Sequence, residues 1–137
     1  MYRLIYASQS VNTVEIPMIK DILEKARSRN ERSGVTGALF YNFQYFLQCL
    51  EGNRENVNRI FGNICGDERH KNIEIISAKD TECRLFSEWS MCISSATEVN
   101  ANIYFDFLPT KEFNPYLLTD KSAEEFIIRL KDKATTL

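Results

Sequence analysis

A glutamine stands in the middle of the apolar run Phe46-Leu47-Gln48-Cys49-Leu50-Glu51-Gly52, and its chemistry is at odds with its neighbours. Alternation along a strand puts Phe46, Gln48 and Leu50 on one face and Leu47 and Cys49 on the other. Both faces are largely apolar, the pattern of a central strand covered on two sides. A primary amide buried there has two donors and two lone pairs, and leaving them unmet costs about 1–3 kcal/mol each. Either the core holds something polar for Gln48, or the stretch is not this strand. Residues on other elements are candidates: Tyr6 near the end of a first strand, Asn30 at the end of a first helix, and Trp89 with Met91 on a last strand. Each also has an ordinary reading. Tyr6 and Trp89 are packing residues with a polar handle, Met91 fills core gaps, and Asn30 caps a helix end.

Asp67-Glu68-Arg69-His70 is the second polar cluster. By itself it is a solvated loop; its functional alternative is an anion clamp, with Arg and His donating and Asp67 fixing them. No Ser/His/Asp or Cys/His arrangement and no Gly-x-Gly-x-x-Gly loop is present, so hydrolysis and a Rossmann-type nucleotide site have no support. Four cysteines without paired spacing and a single histidine argue against a zinc site, and no metal is expected.

These residues need elements to position them. The 137 residues suit one domain, with 44% hydrophobic and 26% charged content typical of a soluble globular chain. A net charge of -2 gives no electrostatic footprint for nucleic acid. Residues 1 to 9 read as strand rather than as a leader, and no stretch approaches the roughly 20 apolar residues of a membrane span. The expectation is a cytoplasmic protein with reduced thiols.

Along the chain, Tyr2 to Ser8 alternates as a strand. From Pro17, the residues Ile19, Ile22, Leu23 and Ala26 mark an amphipathic helix predicted to end near Asn30, with Glu31 to Gly34 as a turn. Val35 to Tyr41 is a strand whose Gly37 hints at close approach by another group. Asn42-Phe43-Gln44 turns the chain into the Gln48 strand. Asn53 is a helix N-cap before Val57, Ile60, Phe61 and Ile64. Gly66 to Lys71 connects to a fourth strand around Ile73 and Ile75, and Leu85 to Ile93 is a fifth. A last helix is expected near Ser122, with a Ser122/Glu125 capping box and an apolar stripe of Ala123, Phe126, Ile127 and Leu130. The order is an α+β, ferredoxin-like βαββαβ arrangement with an added fifth strand. Two helices belong on one sheet face, with C-terminal helices capping the other. Residues 1–93 form the core and residues 94–137 its cap, within one domain.

Taken in order, the blocks Leu4-Ile5-Tyr6-Ala7-Ser8, Asn30 with Gly34-Val35-Thr36-Gly37, Phe46 to Gly52, Asp67-Glu68-Arg69-His70 and Phe86-Ser87-Glu88-Trp89-Ser90-Met91 resemble the BLUF family, the blue-light sensors that use FAD. The resemblance covers residues 2 to 93 and implies a short photoreceptor, not an enzyme. It implies that Tyr6 gives an electron and then a proton to the excited flavin, and that Gln48 bridges Tyr6 and the flavin N5 and C4 carbonyl. Asn30 would hold the pyrimidine edge. Asp67, Arg69 and His70 would lie toward the ribityl-phosphate end, and Trp89 and Met91 would respond to the glutamine. Many members carry a second asparagine just before the one at 30; here it is Arg29, a candidate phosphate ligand.

No effector fits in this length, so the signal is expected to leave through a separate protein partner or a change in self-association. The competing reading is a non-photochemical ferredoxin-like ligand-binding module or a flavin redox module, because this fold hosts many functions.

Overall fold

The computed structural model describes residues 1–86, 92–95 and 113–131, and the strand carrying Gln48 lies inside its sheet. Tyr45–Gly52 (β3) is buried at every position but the first. It runs antiparallel to both neighbours, Tyr2–Ser10 (β1) and Thr36–Tyr41 (β2). His70–Asp80 (β4) pairs antiparallel with the far side of β1, and Cys92–Ser95 (β5) pairs parallel with β2. The order β4-β1-β3-β2-β5 is the expected ferredoxin-like set with one strand appended.

Helices Ile16–Ser33 (α1) and Arg54–Cys65 (α2) each join two parallel strands that flank a third. Right-handed crossovers place both on one face. There Ile19, Leu23 and Ala26 of α1 and Val57, Ile60 and Ile64 of α2 pack on Leu4, Tyr6, Phe46 and Leu50. Ile5, Phe40, Leu47 and Cys49 point the other way. They are covered by Ala123, Phe126 and Ile127 of helix Asp120–Lys131 (α3), together with Phe86, Phe113 and Leu118. Phe113 stacks on Phe126 with ring centroids 6.0 Å apart. A fully buried side chain of this size contributes about 1.5–3 kcal/mol, so both layers are held mainly by apolar burial.

Local chemistry sets the boundaries. The Asn53 side chain accepts from the backbone N–H of Glu55 and Asn56, capping α2 as expected. Gly37 sits where an added Cβ would lie 2.0 Å from the Cys49 carbonyl oxygen, which accounts for a glycine inside a strand. α1 does not end at Asn30. It continues to Ser33, because Gly34 supplies the left-handed turn at φ 65° and the Val35 N–H then returns to the Asn30 carbonyl. α3 begins at Asp120, two residues before the expected start. Thr119 and Ser122 exchange side-chain and backbone bonds there, so the box lies three residues earlier than Ser122/Glu125.

β4 starts at His70, inside the expected connector, and is an edge strand of the sheet among the described residues. Its pairing with β1 shifts register twice, between Ile5 and Tyr6 and between Ala7 and Gln9. Among the described residues β5 begins at Cys92, and Leu85 and Phe86 precede it outside any strand. Trp89, Met91 and the apolar stretch 103–108 lie outside the described residues.

Candidate functional site

A cleft of about 300 Å³ opens between α1, α2 and the sheet. Its floor is Tyr6, Leu39, Phe46 and Gln48 from the strands, and α1 contributes Ile22, Lys25, Ala26 and Arg29. Ile64, Asp67, Arg69 and His70 close the remaining side. Sheet register dictates the floor, since Gln48 is opposite Tyr6 on β1 and Leu39 on β2. The buried amide therefore meets a phenol on the neighbouring strand, and the Tyr6 hydroxyl donates to Gln48 Oε1.

Tyr6 and Gln48 are 2% and 4% exposed, which makes their bond electrostatically stronger than it would be in water. Burial pushes the Tyr6 phenol well above its ordinary range, with the nearby Arg29 charge opposing. Tyr6 is thus a neutral donor at any physiological pH. Its ring lies 5.2 Å from Phe61 and 6.5 Å from His70, centroid to centroid.

The charged wall is divided. Arg69 is committed to carboxylates: Nε and Nη2 reach Asp67 at 2.6–3.1 Å, and Nη1 reaches Asp21 at 2.7 Å. Its side-chain bonds hold the Asp67 carboxyl down at about 2. His70 is likewise engaged. Nε2 lies 2.6 Å from the Ile64 carbonyl, which only accepts, so Nε2 carries the proton; Nδ1 lies 3.0 Å from Ser8 Oγ. Arg29 differs from both. Its Nε is buried without a hydrogen-bond partner among the described residues, and burial lowers its pKa, with Tyr6 and Asp67 opposing.

Tyr6, Gln48, Arg29, Asp67, Arg69 and His70 thus meet at one cleft. Asn30 does not line it. Its side chain is fully buried on α1 beside Arg29, and its carbonyl serves the helix end. Trp89 and Met91 fall outside the described residues. Sequence reading missed Lys25 and Asp21. Positions 21, 25 and 29 are one helical turn apart, and that i, i+4 spacing was the available signal; Asp21 bonds both Lys25 and Arg69.

An apolar slot with an amide and a phenol on its floor and cations on its wall suits a flat heteroaromatic ring with an anionic tail. The buried Arg29 Nε, without an acceptor among the described residues, fits that tail. Lys25 and Arg29 also line a second groove, of about 490 Å³, on the outer side of α1. Among the described residues no cluster of three His, Cys, Asp or Glu could hold a metal, and no helix is long and apolar enough to cross a membrane.

Comparison with known proteins gives a family model, described as sensors of blue-light using FAD (BLUF), that matches residues 1–92. The blue light- and temperature-regulated antirepressor BluF of Escherichia coli (strain K12) is 36% identical over 88 residues, 64% of this chain and 22% of that protein. Photoactivated adenylate cyclase subunit beta of Euglena gracilis is 31% identical over 91 residues, 65% of this chain and 11% of its own length. The chain therefore spans less than a quarter of these curated relatives. Among solved structures, BlsA in its photo-activated state superposes with a TM-score of 0.90 at 32% identity, covering 99% of both chains. The dark-state structure of BlrB, a BLUF protein, gives 0.75 at 29% identity, covering 93% of this chain and 95% of that one.

Proposed function

The chain belongs to the BLUF family, sensors of blue light using FAD, and from that premise we propose that Tyr6 and Gln48 are its light-responsive pair. The observation carrying this reading is the Tyr6 hydroxyl's bond to Gln48 Oε1 on the floor of the cleft. FAD supplies the absorption of blue light and a site that can take up an electron and a proton. Tyr6 holds its proton at Oη in the dark, neutral because burial opposes the phenolate, and can release proton and electron together. Gln48 both donates and accepts, so turning its amide exchanges the hydrogen-bond pattern offered to Tyr6 on the neighbouring strand and to the cleft. Phe46, Leu39 and Ile22 exclude water from that exchange. Arg29, helped by Lys25, is the cation for the anionic tail, because Arg69 is already neutralised by Asp67 and Asp21. Asp67, Arg69 and His70 then shape that end of the cleft, and Asn30 supports the Arg29 turn from within the core.

One exchanged hydrogen bond is worth about 0.5–1.5 kcal/mol net. Inverting a 1:99 equilibrium takes roughly 5.5 kcal/mol. The switch alone gives only a modest bias, and a separate protein that binds one state preferentially supplies the rest. We place the function in signalling rather than catalysis, with residues 94–137 as the cover of the flavin-binding unit.

The test is a dark-minus-lit difference spectrum of the purified protein. A small reversible red shift is expected, retained FAD but no shift in Tyr6→Phe and Gln48→Leu. A Gln48→Leu protein with the full shift would overturn the assignment.

A further inference from the structure

On the sheet face opposite the cleft, among apolar neighbours, runs a row of charges that the light-responsive pair does not use. Lys79 on β4, Arg3 on β1, Glu51 on β3 and Thr36 on β2 are register partners across four adjacent strands. Glu51 is fully buried and Arg3 is 7% exposed. The Glu51 carboxylate accepts from Arg3 Nε at 2.9 Å and from the backbone N–H groups of Leu85 and Phe86 at 2.9 Å. Arg3 continues to the Cys83 carbonyl at 3.1 Å and to Glu124 on α3 at 3.3 Å, and Lys79 meets the same Glu124 at 2.9 Å.

Such a network is a poor device for stability alone, because desolvating the charges offsets most of their attraction. Its effect is to fix geometry. Arg3 is three residues from Tyr6 on β1, and Glu51 three residues from Gln48 on β3. The two strands that hold the switching bond on one face therefore hold, on the other, both the 83–86 segment and α3.

We propose that the Lys79–Arg3–Glu51 row, closed by Glu124, couples the Tyr6–Gln48 pair to α3, with Glu51 and Glu124 as positioning residues. The inference rests on the photoreceptor reading. A change in the relative placement of β1 and β3 at Tyr6 and Gln48 alters the Arg3–Glu51 separation. It thereby alters the grip on Glu124 and on the Leu85 and Phe86 amides. None of the residues of the row lines the cleft.

Hydrogen exchange of the FAD-loaded full chain, dark and lit, tests this alongside the difference spectrum. In the unmodified protein, amides over 120–131 should change exchange rate on illumination. Glu124→Gln, at a partly exposed position, should keep the absorption shift and lose that light-dependent change. Glu51→Gln should lose it over both 83–86 and 120–131. A light-dependent change over 120–131 that persists in Glu124→Gln, with the shift intact, overturns the coupling alone. So does a normal shift without any change there in the unmodified protein. Absence of the shift itself in the unmodified protein overturns the photoreceptor reading and this inference with it.

Discussion

Replacing Gly37 by alanine should damage this protein far more than one methyl group usually does. The added Cβ would stand 2.0 Å from the Cys49 carbonyl oxygen, where ordinary contact begins at 3.4 Å. Gly37 is the register partner of Leu50, and the obstacle is backbone in the middle of the sheet, not the tip of a flexible side chain. Separating β2 from β3 by roughly the missing 1.4 Å would stretch the local ladder past hydrogen-bonding range. Overpacking costs about 1–3 kcal/mol, and each weakened ladder bond adds about 1 kcal/mol. A loss of about 2–4 kcal/mol follows, large against a total stability of about 5–15 kcal/mol. With a urea slope of about 2 kcal/mol per molar for a chain this size, the midpoint should fall by about 1–2 M. Gly62→Ala is the internal control. Gly62 lies inside α2 with nothing within 4 Å of the added atom, so alanine there should be neutral or stabilising by about 0.5–1 kcal/mol. Urea titrations of both variants, in the dark with FAD, measure the contrast. Equal midpoints for the two would refute the close approach of β2 and β3 on which the reasoning depends.

Arg29→Gln should weaken FAD binding by about tenfold or more, since a hydrogen bond to a charged group contributes about 1.5–3 kcal/mol. Riboflavin, which lacks phosphate, should lose much less in parallel fluorescence-quenching titrations; equal losses would remove Arg29 from the tail. Asp67 has its carboxyl pKa held at about 2 by Arg69, below its ordinary value. Its stabilising contribution is therefore present above pH about 4 and lost as pH falls toward 2. The pair is nearly a third exposed, so solvent screening keeps the effect near or below about 1 kcal/mol. Thermal unfolding followed from pH 5 to 2 should decline less steeply in Asp67→Asn. Glu51→Ala strips three donors of their acceptor and should cost about 3–5 kcal/mol by urea titration. The double change Arg3→Met, Glu51→Leu should recover part of that loss, because no charge is left buried without its partner.

What the sequence made legible was local. Alternation at Phe46 to Leu50 assigned each residue its face, Asn53 signalled its cap, and Gly37 announced a close approach, because each depends on a few neighbouring residues. Asn30 was misjudged as a helix end because it tolerates a left-handed turn, yet Gly34 does so at no steric cost and lies four residues on. The α3 start was misplaced because Ser122 serves as the partner of Thr119 rather than as the cap. The division of labour between Arg69 and Arg29 was not legible, since it depends on Asp21 reaching across from α1. Nor was the buried row, since Arg3, Glu51 and Lys79 stand in separate strands and only register aligns them.

The position of β4 at the edge of the sheet bears on how the protein behaves at high concentration. A strand of eleven residues at a sheet edge invites another chain to add to it, and among the described residues the Tyr116 hydroxyl already donates to the Asn72 carbonyl at 2.6 Å. Lys71 and Lys79 are exposed near its two ends, Glu74 is exposed between them, and two register shifts twist it away from flatness. These features discourage intermolecular sheet growth, although Ile75 is 53% exposed at its centre. Solubility thus depends on a few side chains along this edge, and neutralising Lys71, which lies outside the buried charged row, should promote aggregation while the folded chain keeps its colour.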